Sequence, residues 1–152
     1  MKKILFTFFL LLGSYITLAQ IVANDDVGGQ VNGFTGGVAF NNVLSNDTLN
    51  GNPVSLSSVT LTFVSSTNPN ITLNLGNGSV VVSPGTPAGN YVLTYQICDT
   101  ANSSNCDTAT VTVEVYPAVI NAVNDSGSPT PSSGGIAFTN VLVNDTFNGA
   151  PV

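Results

Sequence analysis

From residue 21 onward the apolar positions recur with a period of two. Val59-Thr60-Leu61-Thr62-Phe63-Val64 alternates apolar with polar, as a half-buried strand does. Ile71-Thr72-Leu73-Asn74-Leu75 alternates again, Gly76-Asn77-Gly78 provides a tight turn, and Val80-Val81-Val82 reads as the hairpin partner. Tyr91 to Cys98 is the longest strand candidate, and a further strand begins at Cys106 and runs through Thr108 to Val115. Near the start, Ile21-Val22-Ala23 leads to Asn24-Asp25-Asp26 and a Gly-rich loop through Gly28, Gly29 and Gly33. Val38-Ala39-Phe40 and Val43-Leu44 read as one strand kinked at Asn41-Asn42. Asn46-Asp47-Thr48 and Asn50-Gly51-Asn52-Pro53 are turn-formers. No window carries a helical period of useful length, so the expected class is all-β.

The pattern also repeats on a longer scale. Gly36 to Val54 (GGVAFNNVLSNDTLNGNPV) returns as Gly134 to Val152 (GGIAFTNVLVNDTFNGAPV), identical at 14 of 19 positions and offset by 98 residues. Self-similarity at a fixed offset is the mark of a tandem array. An offset of this size suits an immunoglobulin-like β-sandwich, which takes about 100 residues. The chain therefore divides into residues 1–19, one repeat over 20–117, and the start of a second repeat of the same type over 118–152. Tyr116-Pro117 closes the first repeat, and Ala118 to Asn124 leads into the second with almost no flexible spacer.

Composition changes this picture at the N-terminus. Met1-Lys2-Lys3 followed by the apolar run Ile4–Leu12 and the small residues around Thr17-Leu18-Ala19 reads as a cleaved signal peptide. The run is shorter than the roughly 20 residues that span a bilayer, so no transmembrane segment is expected. Lys2 and Lys3 are the only basic residues and the chain has no His, so the sequence beyond residue 19 carries eight carboxylates and no cationic side chain. Phosphate neutralisation needs Lys or Arg, which excludes nucleic acid as a partner. The usual activators of Ser or Cys nucleophiles are also missing, so no enzymatic activity and no catalytic residues are expected. The remaining expectation is a secreted, surface-associated protein.

Cys98 and Cys106 are the only cysteines. A close pair in an exported chain reads as a disulfide, and no further Cys or His stands ready to make a metal site or a catalytic dyad. It would staple the polar tip Asp99–Asn105. Calcium is the one cofactor candidate, because it takes carboxylate, amide and carbonyl oxygens. Its candidate ligands are Asp25 and Asp26 at the entrance, Asp47 in the repeated loop, Asp99 at the tip and Asp125 in the second repeat. Against it stands the competing role of Asp and Asn as turn residues.

Ala88-Gly89-Asn90-Tyr91 resembles the tyrosine corner of immunoglobulin-like folds, which implies that the Tyr91 hydroxyl bonds back to the backbone. Leu93 stands where antibody domains have Cys, and there is no Trp, so apolar packing must replace an inter-sheet disulfide. The segments A-N-D-D, N-V-L-x-N-D-T, T-P-A-G-N-Y-V-L-T-Y-Q-I-C-D and N-C-D-T-A-T-V-T-V resemble the Ig-like or cadherin-like tandem repeats of large surface proteins of Bacteroidetes, including adhesion and gliding-associated ones. The resemblance covers Ile21 to Val152 and implies a non-catalytic structural or adhesive spacer. Its partners would be neighbouring repeats and a surface glycan or protein ligand. Leu49-Asn50-Gly51-Asn52 is uncharged where many such repeats carry an acidic run, which weakens the calcium expectation. The alternative is an accessory carbohydrate-binding or linker module of a secreted polysaccharide-degrading enzyme, which would need an exposed row of aromatic side chains.

Overall fold

The computed structural model describes residues 20–152; the expected signal peptide, residues 1–19, lies outside the described residues. Every regular element among the described residues is a strand. They are β1 (Ile21–Val22), β2 (Asp26–Asn32), β3 (Gly37–Phe40), β4 (Thr48–Leu49), β5 (Asn52–Pro53), β6 (Val59–Ser66), β7 (Ile71–Leu73), β8 (Val80–Val82), β9 (Gly89–Asp99) and β10 (Cys106–Tyr116). In the second copy lie β11 (Ile120–Asn121), β12 (Thr146–Phe147) and β13 (Ala150–Pro151).

Two sheets form the sandwich expected of an immunoglobulin-like domain. One has the order β2-β10-β9-β6, the other β3-β8-β7. A small sheet of order β1-β4-β5 completes the first copy. β9 and β10 pair without interruption from Cys98↔Cys106 to Gly89↔Val115. Alternation on β9 delivers Leu93, Tyr95 and Ile97 to the core, all fully buried. They pack with Val59, Ile71, Val80, Val82, Val111 and Val113. These β-branched and aromatic residues suit a pleated, buried face.

The Gly-rich stretch is not the expected loop. Gly28 and Gly29 lie inside β2, which runs parallel to β10 from Asp26↔Val111 to Asn32↔Tyr116, with a register shift between Thr112 and Glu114. The glycines occupy this bulge because the space is closed: a Cβ on Gly28 would meet the Thr112 carbonyl at 3.0 Å and the Ala39 carbonyl at 3.3 Å.

Val43 and Leu44 are likewise not a strand. They sit in a turn over residues 42–47, where the Asn42 Oδ1 accepts the Leu44 N–H at 3.1 Å and the Asn42 carbonyl accepts the Ser45 N–H at 3.2 Å. A short amide side chain that bonds its own backbone competes with ladder formation, yet the turn still buries both side chains. Of the expected turn-formers, Thr48 and Asn52-Pro53 lie in the short strands Thr48–Leu49 and Asn52–Pro53, which flank a two-residue Asn50-Gly51 turn with φ of 54° and 75°. Such a turn matches the twist of its strands when both residues accept positive φ. Phe63, which the alternation points inward with Val59 and Leu61, is 43% exposed. The register of β6 shifts between Phe63 and Ser65, at the end of its well-covered stretch.

Candidate functional site

The sequence-derived aspartates do not gather in one place. Asp25 turns outward to β10, where its Oδ1 accepts the backbone N–H of Thr110 at 2.7 Å and the Thr110 hydroxyl at 2.9 Å. These two bonds hold its carboxyl below the usual carboxylate range. Asp99 accepts the Ala101 N–H at 2.8 Å and shapes the hairpin tip. Asp125 belongs to the second copy. Among the described residues no three of Asp, Glu, Cys or His are grouped as a metal site requires.

Only Asp26 and Asp47 converge, and they do so inside the domain, 4% and 1% exposed. Between them lies the hydroxyl of Tyr95. It approaches the Val43 carbonyl at 3.0 Å, the Asn24 carbonyl at 3.1 Å, both Asp47 oxygens at 3.2 Å and the Asp26 Oδ2 at 3.4 Å. One phenolic proton faces five acceptor atoms. Asp47 is further held by the Asn24 N–H at 2.8 Å on its Oδ1.

With no cation nearby, burial and then the neighbouring Asp47 push the Asp26 carboxyl up to about 6. Burial raises Asp47 too, partly offset by the Asn24 N–H. Burial and the two carboxylates push the Tyr95 phenol upward, so it stays a donor at every physiological pH. Below about pH 6 a proton on Asp26 adds a second hydroxyl donor beside that of Tyr95. The site is an internal polar knot joining the entrance strand, the turn 42–47 and β9. A calcium ion would have to displace the Tyr95 hydroxyl from its centre.

The Tyr91 hydroxyl donates to the Pro87 carbonyl at 2.9 Å, four residues upstream. Cys98 and Cys106 are bonded, with S–S 2.00 Å, across directly paired positions of β9 and β10. No ionisable side chain lines the hollow formed by Ala39, Phe40, Asn41, Asn42 and Ser45. Sequence reasoning misses the Tyr95 hydroxyl. The signal that could have found it is the joint occurrence of Asn24-Asp25-Asp26 and Asn46-Asp47 without any Lys or Arg to partner them.

A second arrangement also escapes the sequence. The ring of Phe34, in the loop after β2, meets Phe147 of β12 edge-to-face with centroids 4.8 Å apart. Beside it the Asn32 amide donates to the Asn148 Oδ1 at 3.1 Å. The same Asn148 oxygen accepts the Val119 N–H at 2.9 Å. One copy thus touches the next directly.

The sequence model of the family described as "Bacterial Ig domain" matches residues 18–114. The chain belongs to the bacterial Ig domain family. Among solved structures, this bacterial Ig domain is similar to the human desmocollin-1 ectodomain, at 10% identity and TM-score 0.49, over 64% of this chain and 20% of that one. It is also similar to cadherin domains 1–4 of protocadherin gamma B7, at 15% identity and TM-score 0.45, over 74% of this chain and 30% of that one. The bacterial Ig chain thus spans less than a third of either ectodomain. No curated protein matches it. No described helix is long and apolar enough to cross a membrane.

Proposed function

We propose that this chain is a non-catalytic structural and adhesive module of an exported bacterial surface protein, of the Bacteroidetes type that its motifs resemble. In this reading residues 1–19 are removed on export, 20–117 form one repeat and 118–152 open the next. The repeats act as stacked spacers that hold a binding end away from the cell. The observation that carries the reading is the junction: Phe34 packs on Phe147 and Asn32 bonds Asn148, so successive copies are coupled by side chains. A disulfide is compatible with an oxidising, extracellular setting. The carbohydrate-platform alternative gains no support from the strand tyrosines, since Tyr95 is fully buried and Tyr91 half-buried.

Stiffness then comes from direct contact, with calcium as the tested rival. Residual dipolar couplings measured on residues 20–152, with calcium and with EDTA, decide between them. A single alignment tensor for both copies in EDTA is expected, and Phe34→Ala should split it into two. Two tensors in the unaltered chain, merging only when calcium is added, would replace the contact-coupled spacer by a metal-stiffened one.

A further inference from the structure

Both sheets of the first repeat end, on one side, in an uncharged edge. β6 is the last strand of β2-β10-β9-β6 and β7 the last of β3-β8-β7, and the two lie against each other. From Thr48 to Cys98 the sequence holds no charged residue, so this edge carries none of the eight carboxylates. The opposite edge differs: β2 follows Asp25 directly, and its Gln30 donates to Glu114 of β10 at 2.8 Å. An edge strand is ordinarily guarded by charge, proline or a covering segment. β6 has only a register shift, where Phe63 and Val64 together stand opposite Tyr95. From Thr62 to Ser65 successive residues are all exposed, Phe63 at 43% and Val64 at 51%. Leu75 is 51% exposed, and Phe63, Thr72, Leu73 and Leu75 line a hollow of about 280 Å³.

We propose that this edge docks a second copy of the same chain about a two-fold axis, with exposed apolar side chains of each copy seated in the hollow of the other. A two-fold contact needs one patch that carries both a projection and a recess. Val64 and the hollow beside it supply the pair. Charge selects the occupant. Beyond residue 19 the chain has no cationic side chain, so copies meeting through carboxylate-bearing faces repel, and no ion pair between them offsets it. The edge at Phe63 is built wholly from the uncharged stretch, and Asp99, opposite Val59 at the far end of β6, is buried. A contact there removes apolar surface from water and leaves the carboxylates of both copies outside it. A neutral glycan suits the place less, because the hollow offers one hydroxyl, that of Thr72, beside three apolar side chains. The contact is lateral: it binds two chains side by side, whereas Phe34 and Phe147 join copies end to end.

The test is sedimentation equilibrium of residues 20–152 from about 10 μM to about 1 mM, with amide chemical shifts recorded over the same range. The mass should rise toward twice that of the monomer, with shifts confined to the surroundings of Phe63, Val64, Leu73 and Leu75. Raising sodium chloride to about 1 M should strengthen the dimer, since screening removes only repulsion. Val64→Asp should weaken it at least about 10-fold with the thermal midpoint in place, because the new charge is buried only in the dimer. Leu75→Asp should do the same. A chain still monomeric at about 1 mM overturns the proposal. So does a dimer that survives both variants and is lost with Val141→Asp, which would place association on residues 118–152. Shifts at Phe63 and Leu75 that appear only when cellohexaose is added to a monomeric chain would assign the edge to a glycan and overturn it too. The end-to-end contact is read separately, from the alignment of the two copies, so neither result decides the other.

Discussion

Over Gly36–Val54 and Gly134–Val152 the two copies of the repeat differ little in sequence and greatly in what covers them. In both, a two-residue Asn-Gly turn with positive φ joins short strands, at Asn50-Gly51 and Asn148-Gly149. In both, an Asn side chain caps the entering backbone: Asn50 Oδ1 accepts the Gln20 N–H and Asn148 Oδ1 the Val119 N–H, each at 2.9 Å. In both, Asn bonds forward to Leu two residues on, at 3.1 Å from Asn42 to Leu44 and 3.0 Å from Asn140 to Leu142. Local polar chemistry is therefore enough to write this motif. What it does not determine is burial, which in the first copy comes from a core built by the later strands of the same repeat.

The sharpest way to break the comparison is to truncate the same leucine in each copy. Leu44→Ala removes a buried side chain and should cost about 2–5 kcal/mol of unfolding free energy. Leu142→Ala, at an exposed position, should stay within about 0.5 kcal/mol in the same urea titration. Equal costs would mean that the second copy is already covered in solution.

The polar knot offers a test of intermediate size. Asp26 is raised in the folded state to about 6, so its contribution to stability is complete below the unfolded value and is lost as pH rises through about 6. The domain should therefore gain about 1–3 kcal/mol between pH 7 and pH 4.5, the reverse of ordinary acid destabilisation. Asp26→Asn should flatten that slope. Thermal melts across this range check it, and a midpoint that falls steadily with acid would show Asp26 to be ionised and satisfied at neutral pH.

The smallest effect is expected at the corner. Tyr91→Phe leaves the ring and removes one hydrogen bond to Pro87, for about 0.5–1.5 kcal/mol. An unchanged midpoint would leave the corner bond without energetic weight.

How much of this was legible depended on whether the deciding contact was near or far in sequence. The strand alternation from Val59 to Val115 and the Asn-Gly turn could be read from neighbouring residues, and so could the pairing of two isolated cysteines. Gly28 reads as part of a loop because its reason lies 84 residues away, in the carbonyl of Thr112 against which β2 is pressed. Val43 and Leu44 looked like a strand because apolarity does not distinguish a buried turn from a buried strand. Residue type alone makes Asp26 and Asp47 candidate metal ligands. Their actual partner is a tyrosine placed by the pairing of β9 with β10, and no local pattern announces it. Phe34 and Phe147 carry no signal at all until the copies are set end to end.

The parallel pairing of β2 with β10 has a mechanical consequence. The chain enters the domain beside Val111 and leaves it beside Asn32, so entry and exit lie at opposite ends of one ladder. Tension applied through the chain would pull β2 and β10 past each other along their length. Their hydrogen bonds would then be loaded together, in shear, instead of peeling one after another. A repeat drawn taut would meet its greatest resistance along the ladder formed by its first long strand and its last.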